Sequence, residues 1–79
     1  MNYNLHSLGN TRILEIEPPN PTLANTKFQL MIKDLKGKLL YLWEGISLPH
    51  KLKVENLEAG KYVLTLIGGG HFFSELISA

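Results

Sequence analysis

The sequence predicts an all-β fold, a small antiparallel β-sandwich of six or seven strands. Apolar and polar residues alternate with the two-residue period of half-buried strands, and turn residues recur about every ten positions. We predict no helix. Six strands at this spacing, or seven if residues 3–6 also pair, are typical of a β-sandwich or a small barrel.

Length and composition indicate a single domain, residues 1–79. A hydrophobic fraction of 44% predicts a packed core rather than a disordered chain. The net charge is +1, and the lysines alternate with glutamates instead of clustering. This balance predicts no binding surface for nucleic acid or for an anionic membrane.

The chain has no cysteine, which excludes a disulfide framework and a thiolate metal site. No window approaches the roughly 18 apolar residues of a membrane span. The first residues do not follow the pattern of a secretory signal, so we expect neither a membrane span nor a signal peptide. The sequence leaves the compartment open.

The first half of the chain contains three predicted strands. Residues 11–17 form one, and three prolines within residues 18–21 end it. Residues 27–33 form the clearest, because Phe28, Leu30 and Ile32 alternate with residues expected on the solvent side. The segment 34–37 suits a type I turn, which would pair this strand with residues 38–44 as a hairpin.

The second half contains three more predicted strands, at 50–55, 61–67 and 71–77. Leu52 and Val54 are expected to face the core. Three consecutive glycines permit a tight reversal between the last two strands. Tyr62 has the spacing of a tyrosine corner, in which the hydroxyl bonds back across the preceding turn of a Greek-key sandwich; the alternative is an ordinary buried tyrosine.

These segments together resemble a known family. A strand leads into a D-x-x-G-K turn and a second strand, and an L-x-x-G-x-Y segment opens a later one; the matching positions are Asp34, Gly37, Lys38, Leu57, Gly60 and Tyr62. The pattern resembles the C-terminal sorting domain of type IX secretion cargo and the related immunoglobulin-like domain of flagellar hook-cap proteins. The resemblance implies an immunoglobulin-like sandwich in an extracellular or cell-surface protein. The chain departs from the family in having no lysine after Lys61.

No motif predicts catalysis or a cofactor. His6, His50 and His71 each stand alone, without the spacing of metal ligands. Ser74 lacks a nucleophile elbow, and the glycine run lacks the Lys-Ser/Thr of a phosphate loop. We therefore expect no catalytic, cofactor or metal site, and no enzyme.

The segment 38–44 carries more apolar side chains than one core-facing side needs. If Leu40 and Leu42 point inward, large apolar groups lie outside, and the last strand is apolar on both faces. The predicted interface residues are Leu39, Tyr41, Trp43, Val63, Phe72 and Phe73, with Ile67 also outward. The alternative is a one-residue bulge, or a strand covered by residues 18–25.

The sequence therefore favours a non-enzymatic, self-associating structural subunit. Its expected partners are other copies of the chain, bound through edge strands and an apolar sheet face. A secretion, sorting or adhesion module is the second hypothesis, as the resemblance implies. Carbohydrate binding by exposed Tyr41 and Trp43 is the third, although no small-molecule ligand is expected.

Overall fold

A computed structural model describes residues 2–79 and contains two antiparallel sheets. The strands are β1 (Tyr3–Leu8), β2 (Thr11–Ile16), β3 (Lys27–Lys33), β4 (Leu39–Ser47), β5 (His50–Glu55), β6 (Lys61–Gly68) and β7 (His71–Ser78). One sheet has the order β1-β2-β5 and the other β4-β3-β6-β7. A 3₁₀ turn at Pro21–Leu23, which the sequence did not indicate, lies between β2 and β3. The prediction of a small β-sandwich is confirmed.

The inner faces of the two sheets form one hydrophobic core. Alternate residues point inward along every strand except β4, as the period of two requires. The most deeply buried side chains are Leu14, Ile16, Phe28, Leu30, Ile32, Leu48, Val54, Leu64, Leu66 and Ile77. The inward positions predicted for β3 and β5 are confirmed, with Leu52 half-buried against the core.

The predicted turn between β3 and β4 is closed by Asp34. Its carbonyl accepts from the Gly37 N–H at 3.1 Å, and its carboxylate oxygen Oδ1 accepts from the N–H groups of Lys36 and Lys38, each at 2.9 Å. An aspartate at this position satisfies backbone donors that the turn leaves open. The hairpin prediction is confirmed.

The glycine run between β6 and β7 has two separate structural roles. Gly69 and Gly70 form the two-residue turn with φ of +57° and +77°, a conformation that favours glycine. Gly68 instead lies against β3, where a Cβ atom would stand 2.3 Å from the Lys27 carbonyl oxygen. Both the reversal and this close approach therefore require glycine.

The tyrosine corner is confirmed where β5 leads into β6. The Tyr62 hydroxyl donates to the Glu58 carbonyl at 2.7 Å. Arg12 reaches the same connection from β2, where its Nε donates to the Leu57 carbonyl at 2.8 Å. These bonds hold the segment that crosses from the three-stranded sheet to the four-stranded sheet.

The predicted facing of β4 is correct for Leu39 but wrong from Leu40 to Trp43. Tyr41 and Trp43 are half-buried and pack against the core, with their rings stacked 5.6 Å apart, whereas Leu40 and Leu42 are exposed. The cause is a register shift, because Ile32 pairs with Tyr41 but its neighbour Lys33 pairs with Leu39.

Leu40 therefore has no partner on β3 and forms a one-residue bulge, which was the alternative interpretation. The predicted end of this strand is also wrong. β4 continues to Ser47 instead of stopping before a loop at residue 45, and the connection to β5 is Leu48–Pro49, joined by a cis peptide bond.

Candidate functional site: the outer face of the four-stranded sheet

The four-stranded sheet has a largely apolar outer face. Because side chains alternate across a strand, directly paired residues share a face. Ile67 lies opposite Phe72 and Val63 lies opposite Leu76, both on the side away from the core. We name as the apolar face the outward residues Met31, Leu39, Leu42, Val63, Ile67, Phe72 and Leu76.

The apolar face is open to solvent over most of its large side chains. The exposed fractions are 67% for Phe72, 54% for Leu76, 45% for Leu39, 44% for Leu42 and 38% for Ile67. The only other large apolar residues this exposed among residues 2–79 are Leu8, Leu35 and Leu40. Five exposed side chains are therefore gathered on one sheet face, whereas single exposed leucines are ordinary.

The structure divides the predicted interface residues into two groups. Leu39, Val63 and Phe72 belong to the apolar face. Tyr41, Trp43 and Phe73 point the other way and pack against the core. The premise of a carbohydrate platform, two exposed aromatic rings on β4, is therefore not met.

Two exposed residues of the apolar face, Leu42 and Leu76, were missing from the prediction. Leu76 was within reach of sequence reasoning, because the two-residue turn fixes the register of β6 and β7 and thereby places it opposite Val63. Leu42 was not, because its orientation depends on the bulge at Leu40.

Polar side chains lie at the ends of the apolar face and also within it, since Thr65 and Ser74 pair with each other between the Val63–Leu76 and Ile67–Phe72 pairs. Lys27 and Lys61 are exposed near opposite ends of the sheet, and Lys33 is half-buried beside Leu39. Near β4, the Gln29 amide donates to the Glu44 carboxylate at 3.4 Å. Lys27 and Lys61 therefore remain able to contact water if the middle of the face is covered, whereas Lys33 lies between Leu39 and Val63.

A cavity of about 400 Å³ lies at one end of the sandwich, below the tyrosine corner. Its lining residues are Asp34, Leu40, Tyr41, Asn56, Leu57, Glu58 and Tyr62. Both tyrosine hydroxyls already donate to backbone carbonyls, Tyr41 to Glu55 and Tyr62 to Glu58. Both hydroxyl protons are thus already used in hydrogen bonds within the fold.

The histidines lie in three separate environments. His6 lies on the outer face of the three-stranded sheet, His50 begins β5, and His71 stacks on Phe73. Ser74 points to the opposite side of β7 from His71. Within residues 2–79, no three His, Asp or Glu side chains come together as metal ligands, and no helix is long and apolar enough to cross a membrane.

Comparison with known proteins found no relative of the chain. No family model matches the chain, and neither the curated proteins nor the solved structures gave a match. The fold defines a small all-β sandwich, and its most distinctive surface is the apolar face.

Proposed function

We propose that this protein is a non-enzymatic β-sandwich subunit that associates with copies of itself through the apolar face. The observation that carries the proposal is the gathering of five exposed large apolar side chains on one face of the four-stranded sheet. A solvated sheet face is normally polar, so burial against another surface explains this composition.

The size of the apolar face suits a second copy of the chain. Four strands spaced about 4.8 Å apart, each about eight residues long at about 3.3 Å per residue, give a flat area of roughly 500 Å². The solvent-accessible area of such a pleated surface is larger, which brings it near the roughly 800 Å² that each partner buries in a standard interface. Two such faces stacked at the usual sheet spacing of about 10 Å form a second core between the subunits.

The thermodynamics of a small domain also favour this arrangement. A chain of 79 residues without disulfides has only a small core from which to draw its stability. Association that buries additional apolar surface adds to the free energy of unfolding by mass action. Lys27 and Lys61, at the ends of the face, stay solvated in this arrangement, whereas Lys33, between Leu39 and Val63, must extend past the contact to reach water.

Analytical ultracentrifugation tests the proposal. We expect the wild-type protein to sediment above its 8.9 kDa monomer mass as concentration rises through the micromolar range. Phe72→Ser removes the most exposed member of the apolar face and is expected to weaken association at least about tenfold. Leu35→Ser is the matched control, because Leu35 is 64% exposed but lies in the β3–β4 turn.

Two results would count against the proposal. A wild-type protein that stays monomeric at all concentrations removes self-association. Equal weakening by Phe72→Ser and Leu35→Ser shows that association does not depend on the apolar face.

A secretion, sorting or adhesion module of the immunoglobulin-like type is the second candidate function. It is supported by the two segments that resemble the sorting-domain family, since the D-x-x-G-K turn and the L-x-x-G-x-Y corner are each closed by hydrogen bonds at Asp34 and Tyr62. Residues 1–79 fused behind a reporter should then reach the surface of a bacterium with type IX secretion. The same fusion in a strain lacking that machinery is the control, and equal retention in both strains rejects this candidate.

A further inference from the structure

The sandwich has four edge strands, and three of them carry features that hinder the addition of another strand. β4 has two register shifts against β3. β5 follows directly after Pro49 and displays Lys51 and Lys53. Bulges, prolines and lysines are the usual means by which natural sheets prevent edge-to-edge pairing.

The third protected edge, β7, carries a carboxylate that points inward. Glu75 lies opposite Leu64 on the core side of the sheet. Its oxygen Oε2 is buried and has no hydrogen-bond partner among residues 2–79. A strand added beside β7 would cover this carboxylate further, which makes the addition costly.

The fourth edge, β1, has none of these features. Its sequence, Tyr-Asn-Leu-His-Ser-Leu, contains no lysine, arginine, acidic residue or proline. Its register with β2 is unbroken over all six residues. Tyr3 and Leu5 pack on the core but remain half-buried, so a neighbouring strand would complete their burial.

The ladder with β2 shows which backbone groups of β1 are free. The Glu17 N–H donates to the Asn2 carbonyl at 3.0 Å, so even-numbered residues direct their backbone groups to β2. The odd-numbered residues Tyr3, Leu5 and Ser7 therefore direct their N–H and C=O groups to the open edge. An exposed row of this kind is a template for strand addition.

We propose that β1 pairs with β1 of a second copy, antiparallel across a two-fold axis, with Leu5 opposite Leu5. This inference rests on the proposed self-association and assigns it a second contact, on the other sheet. The pairing must keep the two core-facing sides together, which restricts the register to alternate shifts.

The Leu5-centred register makes the fullest use of the open edge. It sets Tyr3 opposite the partner's Ser7 and Leu5 opposite the partner's Leu5, and residues of such pairs exchange both of their hydrogen bonds. The two nearest alternatives are centred on His6 and on Asn4. The first leaves Tyr3 opposite Gly9 and the second leaves Ser7 opposite position 1, so in each a residue of the open edge pairs beyond the end of the strand.

Pairing at β1 continues the three-stranded sheet into a sheet shared by two subunits. The apolar face lies on the other sheet, so both contacts are available to one subunit at the same time. Alternating edge and face contacts then link copies into a chain, whereas either contact alone gives only a dimer.

Cysteine cross-linking tests the pairing, because the natural chain has no cysteine. Asn4 and His6 are both exposed, and in the proposed register Asn4 lies directly opposite the partner's His6, with Cα atoms about 4.5 Å apart. Mild oxidation of an equimolar mixture of Asn4→Cys and His6→Cys should therefore give a mixed disulfide dimer. Each variant alone should give little, because like residues then lie about 8 Å apart, beyond disulfide range.

Proline substitution tests the same contact without a cross-link. Ser7→Pro removes an N–H of the open edge without taking a hydrogen bond from β2. It is expected to weaken association at least about tenfold while circular dichroism stays native. Ser7→Ala is the control, because it also removes the hydroxyl that accepts from Arg12 but keeps the N–H.

The outcomes separate this inference from the proposed function. Oligomers that form while the mixed disulfide forms no faster than with a Leu35→Cys control overturn the β1 contact. That result leaves the proposed association through the apolar face intact. Cross-linking of His6→Cys alone overturns the Leu5-centred register. A monomer at every concentration overturns both proposals, and if Ser7→Pro unfolds, the cross-linking result decides.

Discussion

The two sheets of the sandwich have outer faces of opposite character. On the three-stranded sheet, exposed Asn4, Lys51 and Glu55 are typical, and the Lys51 ammonium lies 3.3 Å from the Glu15 carboxylate. On the four-stranded sheet, the corresponding surface is the apolar face. Both sheets contribute buried side chains to the core, so folding alone does not require this difference between their outer faces.

Two outward isoleucines show how the difference arises. Ile13, in the central strand of the three-stranded sheet, is only 6% exposed, between His6 and Lys53 on the neighbouring strands. Ile67, in a central strand of the four-stranded sheet, is 38% exposed between Gln29 and Phe72. The outward isoleucine of the three-stranded sheet is thus covered, whereas that of the four-stranded sheet lies within a surface left open.

The largest expected effect distinguishes the two sides of β4. Trp43→Ala removes a ring packed against the core and should lower the free energy of unfolding by about 2–3 kcal/mol. Leu42→Ala, on the adjacent outward position, should cost less than about 0.5 kcal/mol in the monomer. Urea unfolding at a concentration below association measures both, and the reverse order would restore the facing expected from sequence.

The predicted orientation of the β4 side chains from Leu40 to Trp43 was wrong because it depends on strand pairing and not on local sequence. The turn at Asp34 and the two-residue turn at Gly69 and Gly70 follow from residue chemistry within a few positions, and both were predicted correctly. The bulge at Leu40 depends on how β4 pairs with β3, and a single extra residue exchanges the two faces of a strand. The apolar excess was therefore detected in the sequence, but half of it was assigned to the wrong residues.

A charge placed in the apolar face should erase the contrast between the two faces. Ile67→Lys is expected to weaken self-association at least about tenfold, because the ammonium would lose its hydration in the contact. Lys53→Ala, on the outer face of the three-stranded sheet, should leave association within about twofold. Sedimentation equilibrium compares them.

Salt provides a second measurement of the same contrast. Sodium sulfate should strengthen the association of the wild-type protein, since it favours apolar burial. Weakening by salt would instead assign the contact to charged residues.

The corner that joins the two sheets should respond more modestly. Tyr62→Phe leaves the Glu58 carbonyl without its donor at 2.7 Å and should lower the free energy of unfolding by about 1 kcal/mol. The mass of the assembly should not change, because neither proposed contact includes this residue. A shift in oligomer mass together with retained stability would contradict this division.

The smallest effect is expected on the polar outer face. Lys51→Ala breaks the ion pair with Glu15, but the two side chains are 68% and 38% exposed. Exposed pairs of this kind contribute about 0–1 kcal/mol, so the free energy of unfolding should fall by less than about 0.5 kcal/mol. Thermal unfolding at low and high salt checks this, and a loss comparable to that of Trp43→Ala would refute it.

The bulge at Leu40 also bears on how the chain tolerates changes of length. Because Leu40 is the unpaired residue, its deletion would leave Leu39 outward and Tyr41 inward, with a continuous ladder to β3 from Lys33 to Leu30. Deletion of Leu42 would instead shift every side chain on one side of the gap to the opposite face. Within this hairpin, β4 can therefore lose Leu40 without an exchange of its inward and outward side chains.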